Sequence, residues 1–229
     1  MSARGVEYVS VNVLEDAASL ERLSKLGFRG LPVVARGNDY VFGVDLSKVA
    51  ELVGLSYVDA PMLAAETLIA RYQRLLDAAI RFARQIPAHR LGDKLPNRDR
   101  TYLTLVNHLV QIALDYVEIA HGADLTGGRA ASLPEVEVEI DGLADKSTEA
   151  KHALRHWLQQ TDEAQLQRTV VTFFGDQTLH QVLERCVWHS AQHARQLMMV
   201  LDLLGIEVED PLVQEDFAGL PMPENVWDS

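Results

Sequence analysis

Hydrophobic and polar positions change their period once along this chain, near residue 55. Upstream the pattern is short and mixed. Glu7 to Val13 alternates, with Tyr8, Ser10 and Asn12 set against Val9, Val11 and Val13, the two-residue period of a half-buried strand. Ala18, Leu20, Leu23 and Leu26 then recur at helical spacing over residues 15–26, and Gly27 stands where a helix C-cap is expected. Leu31 to Ala35 reads as a short apolar strand entered through Pro32, Gly37-Asn38-Asp39 as a turn, and Tyr40 to Val44 as the returning strand. Asp45 suits the N-cap of a helix over Leu46 to Val53, which Gly54 stops. Residues 1–54 are thus expected to form a small α/β unit of order β-α-β-β-α.

Downstream the period becomes helical. After a linker from Leu55 to Pro61, a long amphipathic helix is predicted over Met62 to Ile86 through Leu68, Ile69, Tyr72, Leu75, Leu76, Ala79 and Phe82. A second is predicted over Arg100 to Gly122, with Leu105, Leu109, Ile112, Tyr116 and Ala120 on one side. Residues 123–146 read as a long connection, with a short extended segment from Pro134 to Ile140. A third helix is expected from Ser147 to about Gln160 and a fourth from Gln177 to Leu204. The fold class is mainly α: residues 55–229 predict a four-helix bundle with one long crossover, whose sites lie in its core.

Composition narrows the function classes. Of 229 residues, 48% are hydrophobic and 24% charged, an ordinary globular balance. A formal net charge of −12 argues against a nucleic-acid surface. The single cysteine, Cys186, excludes an internal disulfide and any CxxC pair, which suits a reducing, cytoplasmic location. No apolar run is long enough to span a bilayer, and the opening MSARGVEYVSVNV lacks the apolar region of a signal peptide.

Candidate chemistry concentrates in Val187-Trp188-His189-Ser190-Ala191-Gln192-His193. At roughly 100° per residue, His189 and His193 share a stripe with Leu179, Val182, Leu183, Cys186, Leu197, Val200, Leu201 and Leu204. Buried imidazoles need partners for their ring nitrogens, and no acid lies in that stripe, so the pair points to a metal. His152 and His156 repeat the spacing but fall roughly opposite Ala150, Leu154, Trp157 and Leu158, on a solvated face. A third ligand should come from another helix, and His108, beside Leu105 and Ile112, is the best placed; His89, His121 and His180 are not. Cys186 reads as a small buried hydrophobe rather than a fourth ligand. Asp115 or Glu118 could orient a ligand, and Arg98 and Arg100, ahead of Arg195, could hold carboxylates.

Two resemblances bear on this reading. Gly27-Phe28-Arg29-Gly30-Leu31-Pro32-Val33-Val34, with Gly43, Asp45 and the helix that follows, resembles the C-terminal part of a glutaredoxin or thioredoxin-like domain. The resemblance implies that Leu31 and Pro32 would meet the cysteinyl part of glutathione and Asp45 its γ-glutamyl end. The family's first strand, cysteine motif and following helix have no counterpart here, so no disulfide exchange is implied. Two roles stay open, a thiol-docking surface or a remnant used in packing or dimerisation.

The second resemblance rests on Trp188-His189-Ser190-Ala191-Gln192-His193-Ala194-Arg195-Gln196-Leu197, on Asn107-His108-Leu109, and on the ending Gly219-Leu220-Pro221-Met222-Pro223 with Trp227. These look like the DinB-like superfamily over residues 60–229. The resemblance implies a divalent metal, zinc first and nickel or iron as alternatives, on His108, His189 and His193. It also implies a thiol S-transferase or thiol-assisted isomerase, with a low-molecular-weight thiol such as glutathione as cosubstrate and a small electrophile as substrate. Arg98 and Arg100 join Leu31, Pro32 and Asp45 as candidate thiol-binding residues. The alternative is a non-catalytic metal-binding or ligand-sensing protein. A homodimer fits this class, and neither nucleic acid nor membrane is an expected partner.

Overall fold

The computed structural model describes residues 6–11, 13, 16–25, 32–43, 46–56, 61–96, 98–123, 139–172, 175–223 and 226. It divides into two compact units, residues 1–61 with 173–175, and residues 62–172 with 176–229.

In the first unit, helix α1 spans Ala17–Lys25, strand β1 Val33–Arg36, strand β2 Asp39–Phe42 and helix α2 Leu46–Val53. Asp16 caps α1 by accepting from the backbone N–H groups of Ala18 and Ser19 at 3.1 and 3.3 Å. Strands β1 and β2 pair antiparallel, Val33 opposite Phe42 and Arg36 opposite Asp39, about a turn in which Gly37 takes φ 64°. The expected strand over Glu7 to Val13 is not found among its described residues. Val9 is 87% exposed and Val11 46% exposed, and of the three alternating valines only Val13 is buried, so the alternation there does not mark a covered face. The described order is α-β-β-α. Leu31 and Asp45 lie outside the described residues, as do Gly27 and Trp227; the Pro32 carbonyl accepts from the Gly43 N–H at 2.8 Å.

The second unit is the bundle. Its long helices are α3 (Ala65–Gln85), α4 (Tyr102–Ala120), α5 (Ile140–Gln160) and α7 (Leu179–Leu203). Helix α6 (Glu163–Leu166) and strands β3 (Thr169–Thr172) and β4 (Gly175–Thr178) connect α5 to α7, and α8 (Gln214–Phe217) follows. Helix α3 packs against α5 and α7, α4 packs against the same two, and α3 meets α4. Leu68, Tyr72, Leu75, Leu76 and Phe82 of α3 are fully enclosed with Leu105 and Leu109 of α4, Leu143 and Leu154 of α5, and Leu183, Leu197 and Leu201 of α7. Burying each such side chain contributes about 1.5–3 kcal/mol.

Helix α5 begins at Ile140, seven residues before the predicted start at Ser147. Ser147 looks like a cap, yet it sits mid-helix and buried, within the stripe Leu143, Ala150, Leu154 and Trp157 that faces the core. One polar residue in an apolar stripe hid the first two turns. The expected extended segment from Pro134 lies outside the described residues except for Glu139 and Ile140. Helix α7 starts just after the predicted Gln177, because Thr178 and Gln181 form a capping box: Thr178 Oγ accepts from Gln181 N–H at 3.1 Å, and Gln181 Oε1 from Thr178 N–H at 2.8 Å. Among the described residues no helix is long and apolar enough to cross a membrane.

Candidate metal centre

Helices α4 and α7 are packed neighbours, and their contact carries the candidate site. Thr101 caps α4 by accepting from Thr104 N–H at 3.1 Å, and His108 is among the residues that this helix buries, with Leu105, Leu109 and Ile112. His108 is 6% exposed and His193 8%, while His189 is half-buried, so the group lies at the rim of the core. The buried face of α7 takes in Leu179, Val182, Leu183, Leu197, Val200 and Leu201 of the predicted stripe and widens it with Val187, Ser190, Ala191 and Ala194. Cys186 and His189 flank that face.

The three imidazoles converge through one nitrogen each. His189 Nε2 lies 3.0 Å from His193 Nε2 and 3.4 Å from His108 Nε2, and all three donor atoms fall within 4.8 Å of one another. The rings stand edge to face, with interplanar angles of 63°, 79° and 89°. Tetrahedral zinc with Zn–N bonds of roughly 2.0–2.1 Å requires donor separations of about 3.3 Å. Three nitrogens at this spacing could hold one ion. Among the described residues they form the only such group, and Cys186 is not part of it.

Electrostatics holds the three rings neutral. Burial, helped by the neighbouring His193 ring and Arg100, pulls His108 down to about 3. Burial also lowers His193 to about 4, against the opposing hydrogen bond from Gln196 and with help from Arg100 and Arg98. His189 sits well below its ordinary value through burial, His193 and His108, then Arg185 and Arg100. All three rings are therefore neutral near pH 7, the state a metal requires.

Gln196 fixes the tautomer of His193. Its Oε1 lies 2.8 Å from His193 Nδ1 and can only accept, so Nδ1 carries the proton and Nε2 presents its lone pair. Sequence reasoning missed Gln196, although a glutamine three residues beyond a stripe histidine, on the same side of the helix, was a readable signal.

The other candidates separate cleanly. His152 and His156 are exposed, with His156 Nε2 3.1 Å from Gln160 Nε2. His89 and His121 are exposed, and His180 Nε2 lies 2.8 Å from the Leu63 carbonyl. Among the described residues Asp115 accepts from Gln111 at 2.8 Å, and Glu118 is exposed. Burial pushes the Cys186 thiol up to about 12.

Arg98 and Arg100 sit in the loop before α4, which is clamped by Leu95 N–H to the Arg100 carbonyl at 2.9 Å and Tyr102 N–H to the Asp93 carbonyl at 3.0 Å. Arg98 is exposed. Arg100 is half-buried, and among the described residues no carboxylate pairs with either. Arg195 turns instead to the Pro223 carbonyl at 2.7 Å.

The architecture has a solved counterpart. YfiT from Bacillus subtilis, described as a probable metal-dependent hydrolase with an unusual four-helix bundle topology, aligns with a TM-score of 0.55 at 15% identity, covering 67% of this chain and 96% of YfiT. The chain shares the four-helix-bundle fold of YfiT. A DinB-like protein from the same organism aligns with a TM-score of 0.48 at 15% identity, covering 61% of this chain and 92% of its own. No protein-family model matches the sequence, and no curated protein matches it.

Proposed function

We propose that this chain is a DinB-like, metal-dependent enzyme whose His108, His189 and His193 hold one divalent cation. Zinc suits three neutral imidazoles best, with nickel or iron as alternatives. Its cosubstrate is a low-molecular-weight thiol, glutathione in the first instance, whose thiolate would attack a small electrophile and either stay joined to it or assist its isomerisation. The observation that carries the metal reading is the convergence of three Nε2 atoms, all held neutral, with no acid among them. A bound divalent ion lowers the pKa of the small nucleophile beside it.

The side chains supply the rest. His108 comes from one helix and His189 and His193 from its neighbour, so the donor set is fixed by helix packing rather than by loops. Arg100, half-buried and without a carboxylate partner among the described residues, offers a charged fork to a carboxylate, with Arg98 beside it. Such a ligand recovers the desolvation that Arg100 already bears. A thiol bearing carboxylates fits that demand, and the glutaredoxin-like sequence around Leu31, Pro32 and Asp45 favours glutathione among such thiols.

A hydrolase is the second reading, favoured by the fold shared with YfiT. The two readings part on one titration. Cobalt(II)-loaded protein should shift its visible spectrum when glutathione is added, and Arg100→Ala should weaken that response about tenfold, as expected for a charge-assisted bond. A spectrum indifferent to millimolar glutathione excludes the thiol reading and leaves hydrolysis.

A further inference from the structure

The segment after α7 does not simply trail away. It runs back along α3, and its contacts occur in reverse order. Gln85 donates to the Glu207 carbonyl at 2.9 Å, and Arg81 to the carbonyls of Glu209 and Asp210 at 3.0 and 2.6 Å. Arg74 then clasps the Asp210 carboxylate at 2.6 and 3.0 Å, and Arg71 donates to the Ala218 carbonyl. Leu212 and Leu220 are buried along the way. At Gly219, φ is 80° and a Cβ would sit 3.0 Å from the Leu63 side chain, so the turn requires glycine. The strap then crosses to α7. Arg195 donates to the Pro223 carbonyl at 2.7 Å, and Gln192 Nε2 to the Val226 carbonyl at 2.6 Å.

Gln196 stands where this strap ends. Its Nε2 faces the same Val226 carbonyl at 3.5 Å, while its Oε1 faces His193 Nδ1 at 2.8 Å. The first contact is at the outer limit of a hydrogen bond, and it favours the orientation that leaves Oε1 for His193. A flipped amide would set Oε1 against the Val226 oxygen and aim an N–H at His193 Nδ1. That would move the ring proton to Nε2 and remove the lone pair from the donor set.

We infer that Gln196 is a positioning residue for His193 and that the C-terminal strap holds it in the productive orientation through the Val226 carbonyl. Docking of the strap and loading of the site are then thermodynamically linked. This rests on the metal reading of the three histidines, and adds to it a control point at His193 Nδ1, behind the donor nitrogen.

The test measures zinc affinity of the full chain by competition with a chromophoric chelator. Gln196→Ala should weaken zinc roughly 10- to 100-fold, the range for loss of a group that orients a ligating histidine. Gln192→Ala combined with Arg195→Ala, which releases the strap's end from α7 while its contacts with α3 remain, should weaken it comparably, with little further loss in the Gln196→Ala background. Gln196→Glu gives the decisive contrast. A carboxylate accepts from Nδ1–H in either orientation, so zinc affinity should match or exceed wild type and no longer respond to strap release. A zinc affinity within twofold of wild type in Gln196→Ala overturns the inference, as does a Gln196→Glu protein still sensitive to strap release. A wild-type chain that takes up no zinc overturns the metal reading instead.

Discussion

Helices α5 and α7 each carry two histidines four residues apart, and the two pairs have opposite fates. On α5, His152 and His156 project into solvent, while Leu143, Ala150, Leu154 and Trp157 occupy the inward side. On α7, His189 and His193 lie where the helix meets α4, and His108 completes a three-nitrogen face. Spacing along one helix makes two side chains neighbours and nothing more. A candidate site arises where a packed second helix adds a third donor and the surroundings hold all three rings neutral.

That contrast can be broken or sharpened by perturbation, starting with the largest effect. His108→Ala should reduce zinc affinity by more than about 100-fold, beyond the range expected for an orienting group; Cys186→Ser should leave it within a few-fold, and chelator competition measures both. Next comes α5 as a packing helix. Leu154 is fully buried, so Leu154→Ala should destabilise the fold by about 2–5 kcal/mol in urea unfolding while the folded protein keeps its zinc affinity.

The metal-free protein should also lose stability in acid. His108 and His193 titrate at about 3 and about 4 when folded, against an ordinary value of 6.5. Between those values the unfolded chain binds more protons, so their contribution is fully present above pH 6.5 and falls as pH drops. Near pH 5 the loss is about 2 kcal/mol for each ring. Thermal or urea unfolding across pH 7 to 5 tests this, and replacing both rings with Gln should flatten the slope. The smallest effect is local: Thr178→Ala removes the cap of α7 and should cost about 1 kcal/mol, leaving zinc affinity unchanged.

Much of this was legible from periodicity. Helices α3, α4 and α7 follow unbroken apolar stripes, and the helical phase that separated His189 and His193 from His152 and His156 agrees with their burial. The start of α5 was hidden because Ser147 mimics a cap while occupying a core position. The strand expected at Glu7 to Val13 had the right alternation, but alternation specifies a face only when something covers it, and Val9 and Val11 are exposed. The strap's hold on Gln196 was illegible for another reason. It runs through a backbone carbonyl, which carries no side-chain signal.

The central claim is that the α4–α7 contact, and not histidine spacing as such, makes a metal site. The most direct measurement is the zinc content of purified, chelator-stripped and reloaded protein for wild type, a His152→Ala/His156→Ala variant and a His189→Ala/His193→Ala variant. The account predicts one equivalent of zinc in the first two and none in the third. Stoichiometric zinc retained without His189 and His193, or lost with His152 and His156, would contradict it.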